Sequence, residues 1–323
     1  MGVVERWKLI ADVGGTNARF ARSPAAGELR DLRRFNVCDF GDFVLALSAY
    51  LDETGREGYE GAAIAAAGPV ADGEVKLTNC VWRISAEEVS AVLGGGPVRL
   101  VNDLEAVALA LPHLSADDVR PLGGPVADLG TPATRIAINV GTGLGAAAAI
   151  PAGDTWGFAA SEAGHMTFSA VHDDEMALIK SFRSVEDVLS GRGVRRLYHD
   201  ISAARGEDAA AIAGDLEVFA QPATDLAGLK TREIFTRLLG RLSGDLVLAS
   251  AAWGGAFLCG GVAHAWSKGA DMDAFRAAFE AKGAMEERMR GVGTSLLTLP
   301  EPALYGLTFV AGRGAEARAV VRP

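Results

Sequence analysis

The chain has 323 residues, of which 49% are hydrophobic and 22% charged, and a formal net charge of −10. A length above about 250–300 residues predicts two domains rather than one continuous core. The negative charge argues against a nucleic-acid or anionic-membrane partner, because it offers phosphate groups no net attraction. The three cysteines form no CxxC pair, so neither a disulfide framework nor a thiolate zinc site is expected.

The N-terminal segment carries Glu5, Arg6 and Lys8 where a signal peptide would have its apolar stretch. Residues 246–266 form an uncharged segment long enough to span a bilayer, but they include two glycine pairs. A buried helix end followed by a buried strand explains this composition more simply. We therefore expect a cytoplasmic protein with no membrane segment.

The first 110 residues alternate short apolar runs with helical patterns. The apolar runs predict strands at 7–13, 18–21, 32–37, 61–67 and 98–101. Helical spacing and capping signals predict helices at 43–51, between Ser85 and Gly94, and at 104–111. Only a glycine-rich turn separates the first two strands, which predicts a β-hairpin.

A Gly/Pro-rich stretch at 123–132 precedes a second block of elements. Strands are predicted at 135–140, 146–150, 256–259 and 295–299, and helices at 175–182, 207–220, 231–252 and from 304 onward. We therefore divide the chain into a small α/β domain over residues 1–110 and a large α/β domain over residues 111–323. The last helix is expected to pack back on the small domain.

Two glycine turns open the two blocks in the same way. Residues 11–15 and 138–142 share an apolar strand, a polar residue two positions before the first glycine, and then the turn. Glycines let backbone N–H groups approach phosphate oxygens, and Thr16 adds a hydroxyl donor. Asp12 is placed to hold a hydrated Mg²⁺ ion beside the β- and γ-phosphates. One such turn is equally compatible with an ordinary hairpin, but the pair favours a nucleotide site between duplicated halves.

Several polar residues have the chemistry to bind sugar hydroxyls. Asn102 and Asp103 directly follow a strand, where α/β proteins carry their chemistry, and are equally typical of a helix N-cap. Glu162 and His165 lie in one loop, and Glu186 fits the first turn of a helix equally well. Each is weak by itself, but carboxylates, amides and imidazoles together can hold adjacent hydroxyls of a sugar.

The turn that begins at Gly141 also fits a loose GxGxxG/A pattern, with Glu162 following 21 residues later. This is the rival signal for a dinucleotide site, and thus for a NAD-dependent dehydrogenase. Pro151 and Gly153 leave little room for the crossover helix that such a site requires. A second match near the C-terminus, from Gly312 to Ala317, shows how readily the pattern occurs.

Eight motifs occur in the order found in bacterial glucokinases, and the chain strongly resembles this family of the hexokinase/actin-like superfamily. The motifs are DVGGTNAR at 12–19, TNCVW at 78–82, VNDLEAV at 101–107, GTGLG at 141–145, EAGH at 162–165, VEDVLSGRG at 185–193, CGGV at 259–262 and PALYG at 302–306. The resemblance implies two RNase H-like α/β domains of the actin/hexokinase type with an interdomain cleft.

The resemblance also implies a role for each motif residue. Asp103 would be the general base for the glucose 6-hydroxyl, and Asn102, Glu162, His165 and Glu186 would bind the other hydroxyls. The residues implied to bind the phosphates of ATP are Ala11, Asp12, Val13, Gly14, Gly15, Thr16, Gly141, Thr142 and Gly143, with Asp12 reaching Mg²⁺ through water. The residues implied to border the adenosine are Gly260, Gly261 and those around Gly306.

The expected function is therefore ATP-dependent phosphorylation of glucose at the entry to glycolysis, by a homodimer with no nucleic-acid or membrane partner. Ala163 departs from the glycine usual in the family, and its methyl group could shift Glu162 or His165 and alter the sugar preference. A kinase for another hexose or an amino sugar, a polyphosphate-dependent kinase, and a non-catalytic sugar-binding regulator remain alternatives.

Overall fold

The computed structural model describes residues 5–77, 80–178, 181–207, 209, 212 and 214–310. The chain divides into two compact units. Among the residues described, unit 1 comprises 5–110 together with 300–310, and unit 2 comprises those between Leu111 and Leu299.

The elements up to residue 110 are β1 Trp7–Val13, β2 Asn17–Ser23, β3 Arg30–Asn36, α1 Phe43–Thr54, β4 Tyr59–Ala66, β5 Val70–Ala71, β6 Glu74–Lys76, β7 Arg83–Ser85, α2 Ala86–Val92, β8 Val98–Asn102 and α3 Asp103–Ala110. Those that follow are β9 Val119–Pro121, β10 Arg135–Val140, β11 Leu144–Ala152, β12 Thr155–Ser161, α4 Asp173–Met176, α5 Val185–Val188, α6 Gly191–Ala204, α7 Leu226–Ser250, β13 Ala256–Cys259, α8 Gly261–Trp266, α9 Met272–Glu280, α10 Glu286–Arg290, β14 Thr294–Leu297 and α11 Pro302–Thr308.

Unit 1 is built on a five-stranded sheet in the order β3-β2-β1-β4-β8. The first three strands form an antiparallel meander, and β1, β4 and β8 run parallel. Val13 pairs with Ala66, and Ala66 pairs with Asn102, so the three parallel strands end level with one another. The segments that follow β1 and β8 therefore leave the sheet at the same edge.

Aromatic side chains fill the core on one face of this sheet. Phe20 stacks on Tyr50 with ring centroids 5.4 Å apart, and Phe43 packs edge-on against Trp82 at 6.2 Å. All four are buried, so this cluster fixes α1 and the small β5-β6-β7 sheet to the unit. Burying an aromatic side chain of this size is worth about 1.5–3 kcal/mol.

Helix α11 belongs to unit 1 and packs on α3. Gly306 makes this packing possible, because a Cβ atom there would lie 2.1 Å from the carbonyl oxygen of Ala106. The two helix backbones consequently approach more closely than any larger residue would allow.

Unit 2 repeats this arrangement in the order β12-β11-β10-β13-β14 and adds β9 at the edge. Strands β10, β13 and β14 are parallel, while β11, β12 and β9 are antiparallel to their neighbours. Two units with this shared sheet order confirm the predicted RNase H-like α/β fold. The close packing of α7 on α9 depends on Gly240 and Gly244, which lie against the carbonyl oxygens of Phe275 and Phe279.

Two predicted helices are wrong over the residues described. The helix predicted at 175–182 ends as the short α4 at Met176, and residues 179–180 lie outside the description. Glu175 fits a helical pattern, but its buried carboxylate accepts bonds from Val171 N–H, Arg237 and Arg241 instead of lying on a solvent face.

In the helix predicted at 207–220, the described residues before Gly214 are not helical, and residues 215–220 form a 3-10 helix. Residues 208, 210–211 and 213 lie outside the description. The long helix of this region is instead α6, which was not predicted because it begins with glycines. Gly193 is required there, since a Cβ atom would lie 2.6 Å from the carbonyl oxygens of Asp187 and Val188.

The uncharged segment 246–266 comprises the end of α7, the buried strand β13 and helix α8, which confirms the predicted buried helix end and strand. Within the part of the chain that the structure describes, no helix has both the length and the apolar character needed to cross a bilayer.

Candidate active site

The first glycine turn joins β1 to β2 in unit 1. Gly14 N–H donates to the carbonyl oxygen of Asn17 at 3.0 Å and closes the hairpin. Gly14 and Gly15 are half-buried and Thr16 is exposed, so this turn is accessible to a ligand. Ala11 and Val13 are fully buried, so only their backbone could contribute to phosphate binding.

Asp12 lies at the end of β1 beside this turn, and its side chain is 16% exposed. Its register partner on β2 is Arg19, whose Nη1 donates to Asp12 Oδ2 at 2.8 Å. Burial raises the pKa of Asp12, the guanidinium of Arg19 opposes that rise by favouring the carboxylate, and the negative charge of Glu301 adds a smaller rise. Among the described residues, no donor contacts Oδ1, which leaves an oxygen for a hydrated cation.

The fit of this site to Mg²⁺ follows from its donor set. No cluster of three or more His, Cys, Asp or Glu residues that could hold a metal occurs in the described part of the chain. Mg²⁺ in nucleotide sites keeps several waters and takes only one or two carboxylates, with substrate phosphates completing its shell. Asp12 therefore suits Mg²⁺ bound together with a nucleotide better than a metal held by protein alone.

Asn102 and Asp103 form the junction of β8 with α3. Asn102 Oδ1 accepts from Leu104 N–H at 2.9 Å, and Asp103 Oδ1 accepts from the same N–H at 3.0 Å. The predicted N-cap role is thus confirmed, and both side chains remain partly exposed. Since β1 and β8 end level with only β4 between them, Asp103 lies about 10 Å across the sheet from the Gly14 turn.

The second glycine turn joins β10 to β11 in unit 2. Gly141 N–H donates to Gly143 O at 2.9 Å, and Thr142 is exposed. The two strands are antiparallel and directly connected, so no crossover helix follows the turn. This contradicts the dinucleotide-binding alternative, which requires a βαβ unit. The second GxGxxA match, at 312–317, lies outside the described residues.

Gly260 and Gly261 follow β13, the parallel neighbour of β10. Gly260 has φ +93°, and a Cβ atom there would lie 2.4 Å from the carbonyl oxygen of Val140. Only glycine satisfies both the conformation and this close approach. The segments at Gly141 and Gly260 are distant in the sequence, and the structure brings them to the same edge of one sheet.

Glu186 contacts the second glycine turn directly. Its Oε2 accepts from Leu144 N–H at 2.8 Å, and a Cβ atom at Gly143 would lie 2.6 Å from the same oxygen. Its Oε1 lies 3.7 Å from Arg192, a neighbour that the sequence reasoning did not identify. Glu186 is thus a carboxylate held beside the second glycine turn, with a quarter of its side chain exposed.

Glu162 and His165 lie at the two ends of a 3-10 turn that follows β12. Their side chains are 89% and 71% exposed, with His165 Nε2 3.9 Å from Glu162 Oε2. Gly164 between them fits under Glu186, since a Cβ atom there would lie 3.3 Å from Glu186 Cβ and 2.3 Å from Leu144 O. The three predicted sugar contacts of unit 2 therefore lie around one glycine.

Ala163 packs into the core of unit 2, with 3% of its surface exposed. Its methyl group points away from solvent, whereas the side chains of Glu162 and His165 are exposed. The departure from glycine at this position is therefore accommodated by the core.

The neighbouring carboxylate Asp187 has a different task from Glu186. It accepts from the N–H groups of Ser184 and Arg183, which lower the pKa of Asp187 and complete a capping box for α5. Sequence reasoning missed two other charged residues of unit 1, Arg19 and Glu301, which bind each other. The motif DVGGTNAR contained Arg19, but nothing in the sequence linked it to a residue 282 positions later.

Comparison with known proteins extends over both units. A glucokinase family model matches residues 9–313. A glucokinase of Paramagnetospirillum magneticum is 34% identical over 310 residues, which cover 93% of this chain and 95% of that protein.

Solved structures show the same relationship. A glucokinase from an Antarctic psychrotroph aligns with a TM-score of 0.81 and 29% identity, covering 93% of this chain and 97% of that one. A ROK family glucokinase from Streptomyces griseus, solved in complex with glucose and AMPPNP, aligns with a TM-score of 0.63 and 20% identity. That alignment covers 95% of this chain and all of the other, and it supports the fold alone.

Proposed function

Because this chain belongs to the glucokinase family, we propose that it transfers the γ-phosphoryl group of ATP to the 6-hydroxyl of glucose, with Asp103 as the general base. The products are glucose 6-phosphate and ADP. The observation that carries the assignment of the base is the placement of Asp103 at the same sheet edge as the Gly14 turn.

Asp103 is suited to accept a proton at a fixed position. It begins α3 directly after β8, and Asn102 caps the same helix, so both side chains are held by the backbone. The carboxylate of Asp103 takes the proton of the glucose 6-hydroxyl while the 6-oxygen of glucose forms a bond to the γ-phosphorus. The bond from the γ-phosphorus to its bridging oxygen breaks, and ADP leaves with that oxygen.

The remaining sugar hydroxyls are assigned to Asn102, Glu162, His165 and Glu186. Carboxylates accept hydrogen bonds from hydroxyls, while the amide and the imidazole can both donate and accept. Glu186 is supported by its fixed contact with Leu144 N–H, and Glu162 and His165 by their exposure around Gly164.

The phosphates of ATP are assigned to the turns at Gly14–Thr16 and Gly141–Gly143, and the adenosine to Gly260 and Gly261. Backbone N–H groups in glycine turns can bind phosphate oxygens without a Walker-type lysine. When bound, Mg²⁺ would neutralise charge on the β- and γ-phosphates, and Asp12 would hold it through water. A cytoplasmic homodimer is the state that the family resemblance implies, and sedimentation of the purified chain tests the dimer.

The test of this function is ADP release from Mg-ATP with glucose, mannose, fructose, glucosamine and N-acetylmannosamine. We expect the highest kcat/KM with glucose. A higher value for another sugar would instead identify a different hexose or amino-sugar kinase. No ADP release with any of them would favour a sugar-binding regulator, and activity with polyphosphate alone would contradict the choice of donor.

The matched variant is Asp103→Asn, which keeps the size and capping geometry of the side chain but removes the base. We expect kcat to fall by roughly 10²–10⁴, the usual contribution of a positioned base. Glucose binding, measured by calorimetry, should change little because the amide can still hydrogen-bond. Near-normal turnover in this variant would remove Asp103 from its assigned role.

A further inference from the structure

Charged side chains connect the phosphate hairpin of unit 1 to the start of α11. Arg19 on β2 donates to Asp12 Oδ2 at 2.8 Å, and its Nε lies 3.1 Å from Glu301 Oε2. The other oxygen of Glu301 accepts from Arg34 Nη2 on β3 at 3.1 Å. The result is a chain of alternating charges, Asp12–Arg19–Glu301–Arg34.

Two features distinguish this series of charged side chains from ordinary surface ion pairs. The side chains of Asp12, Arg19 and Glu301 are 16%, 28% and 24% exposed, so solvent screens them less than it screens a fully exposed pair. Glu301 also has φ +48°, a left-handed conformation that is unfavourable for a residue other than glycine. The fold maintains this conformation at the residue whose carboxylate reaches Arg19.

Helix α11 is fixed to the rest of unit 1 at further points. Gly306 packs against the backbone of α3, the helix that begins with Asp103. Lys8 on β1 donates to the carbonyl oxygens of Thr308 and Val310 at the other end of α11. The same short helix therefore contacts both the strands that carry the hairpin and the helix that carries the base.

We propose that Glu301 is a positioning residue for nucleotide binding. It holds the guanidinium of Arg19 from one side, so that Arg19 fixes Asp12 Oδ2 and Oδ1 stays directed toward the hydrated Mg²⁺ of the bound nucleotide. The inference rests on the proposed role of Asp12, and it adds a function for Glu301 and Arg19 that the sequence analysis did not assign to either residue.

Glu301→Gln tests this link, because it keeps the size of the side chain and removes the charge that holds Arg19. Calorimetry with AMPPNP, with Mg²⁺ or with EDTA, measures nucleotide binding without turnover. We expect Glu301→Gln to weaken Mg²⁺-dependent AMPPNP binding roughly tenfold, the lower end of what loss of a supporting interaction costs a metal site. Glucose binding and AMPPNP binding in EDTA should change less than twofold.

The control is Glu53→Gln, the same substitution in an exposed ion pair with Arg33 of unit 1. It should leave all three affinities within twofold of wild type. Arg19→Lys is the second test variant. A single ammonium group cannot contact Asp12 and Glu301 at the same time in the way that the guanidinium does. If Glu301 acts through Arg19, adding Glu301→Gln to Arg19→Lys should weaken binding by less than a further twofold.

The outcomes separate this inference from the proposed function. Wild-type protein that binds AMPPNP equally with Mg²⁺ and with EDTA would overturn the role of Asp12 and the inference with it. Mg²⁺-dependent binding in wild type that Glu301→Gln leaves unchanged would overturn the inference alone. If the losses of Mg²⁺-dependent AMPPNP affinity in the two single variants multiply in the double variant, Glu301 does not act through Arg19.

Discussion

At the scale of single residues, neighbouring carboxylates of this protein have different roles because the backbone presents different partners to them. Glu186 accepts from an N–H of the second glycine turn, while Asp187 accepts from two N–H groups at the start of its own helix. Asn102 and Asp103 both accept from an N–H group at the start of α3, and both side chains are partly exposed. A capped carboxylate costs little to position when a substrate arrives, because its rotamer is already fixed.

Glu186→Gln and Asp187→Asn form a matched pair that separates binding from stability. We expect Glu186→Gln to raise the KM for glucose roughly tenfold, because a hydrogen bond to a charged group is worth about 1.5–3 kcal/mol. Its free energy of unfolding should stay near that of wild type. Asp187→Asn should instead lower stability by about 1 kcal/mol or less, the scale of a capping interaction, and leave KM within twofold.

Steady-state kinetics and urea unfolding of both variants check this assignment. If the KM for glucose rises in Asp187→Asn and not in Glu186→Gln, the assignment is reversed and Asp187 is the carboxylate that binds glucose.

At the scale of elements, glycines decide how closely helices and turns can approach. Gly260 allows the turn after β13 to lie against the end of β10, and Gly164 allows Glu186 to pack over the loop that carries Glu162 and His165. Gly306 does the same for α11 and α3. Its place in the motif PALYG is explained by this packing, because the residue is buried between two helices of unit 1.

Gly306→Ala should destabilise the protein by about 1–3 kcal/mol, the usual cost of overpacking a tight contact. The added Cβ atom would lie 2.1 Å from Ala106 O and 2.9 Å from Ala110 N, so α3 must move. Displacing α3 also displaces Asp103, and we expect kcat to fall with stability.

The control is Gly269→Ala, because a Cβ atom at that position meets nothing within 4 Å. Chemical unfolding measures both variants. Since alanine favours a helix over glycine by about 1 kcal/mol, a Gly306→Ala protein as stable as wild type or more stable would contradict the close packing.

At the scale of the whole molecule, buried ion pairs connect segments that are distant in the sequence. In unit 2, Glu175 is completely buried and binds Arg237 and Arg241, while Asp174 binds Arg237 and Lys230. Burial by itself raises the pKa of Glu175, but hydrogen bonds from Val171 N–H and both arginines outweigh it and lower that pKa. The network attaches the segment around α4 to the long helix α7.

The lowered pKa values of Glu175 and Asp174 make this contribution to stability sensitive to acid. A carboxyl group with a pKa lower in the folded than in the unfolded chain stabilises fully above its unfolded value, near 4.5 for Glu175. That contribution is lost as pH falls through the lowered folded value. Glu175→Gln should therefore cost about 3–5 kcal/mol at pH 7, as for a broken buried ion pair, and progressively less below pH ~4.5.

Urea unfolding of wild type and Glu175→Gln between pH 3 and 7 measures this difference. Glu87→Gln, on the exposed first turn of α2, is the control and should follow wild type at every pH. A constant difference between Glu175→Gln and wild type across the range would show that charge is not the source of the stabilisation.

Local patterns were sufficient to predict much of this protein from its sequence. The bounds of β1 and β10 were predicted as observed, and so was the start of α1, because apolar runs and helical spacing are properties of neighbouring residues. The glycine turns and the Asn102–Asp103 pair were identified for the same reason. Family membership followed from eight such segments occurring in order, and the family model confirms it.

Only the tertiary structure decided which distant segments meet. It placed Gly260 beside the Gly141 turn, Glu186 on Leu144 N–H and Glu301 on Arg19, over sequence separations that no local pattern encodes. It also corrected the helix predicted at 175–182, where a buried ion-pair network prevailed over helical spacing. The physical reason is the same in each case: a strand or a turn depends on adjacent residues, but a contact between distant residues forms only when the packed elements bring them together.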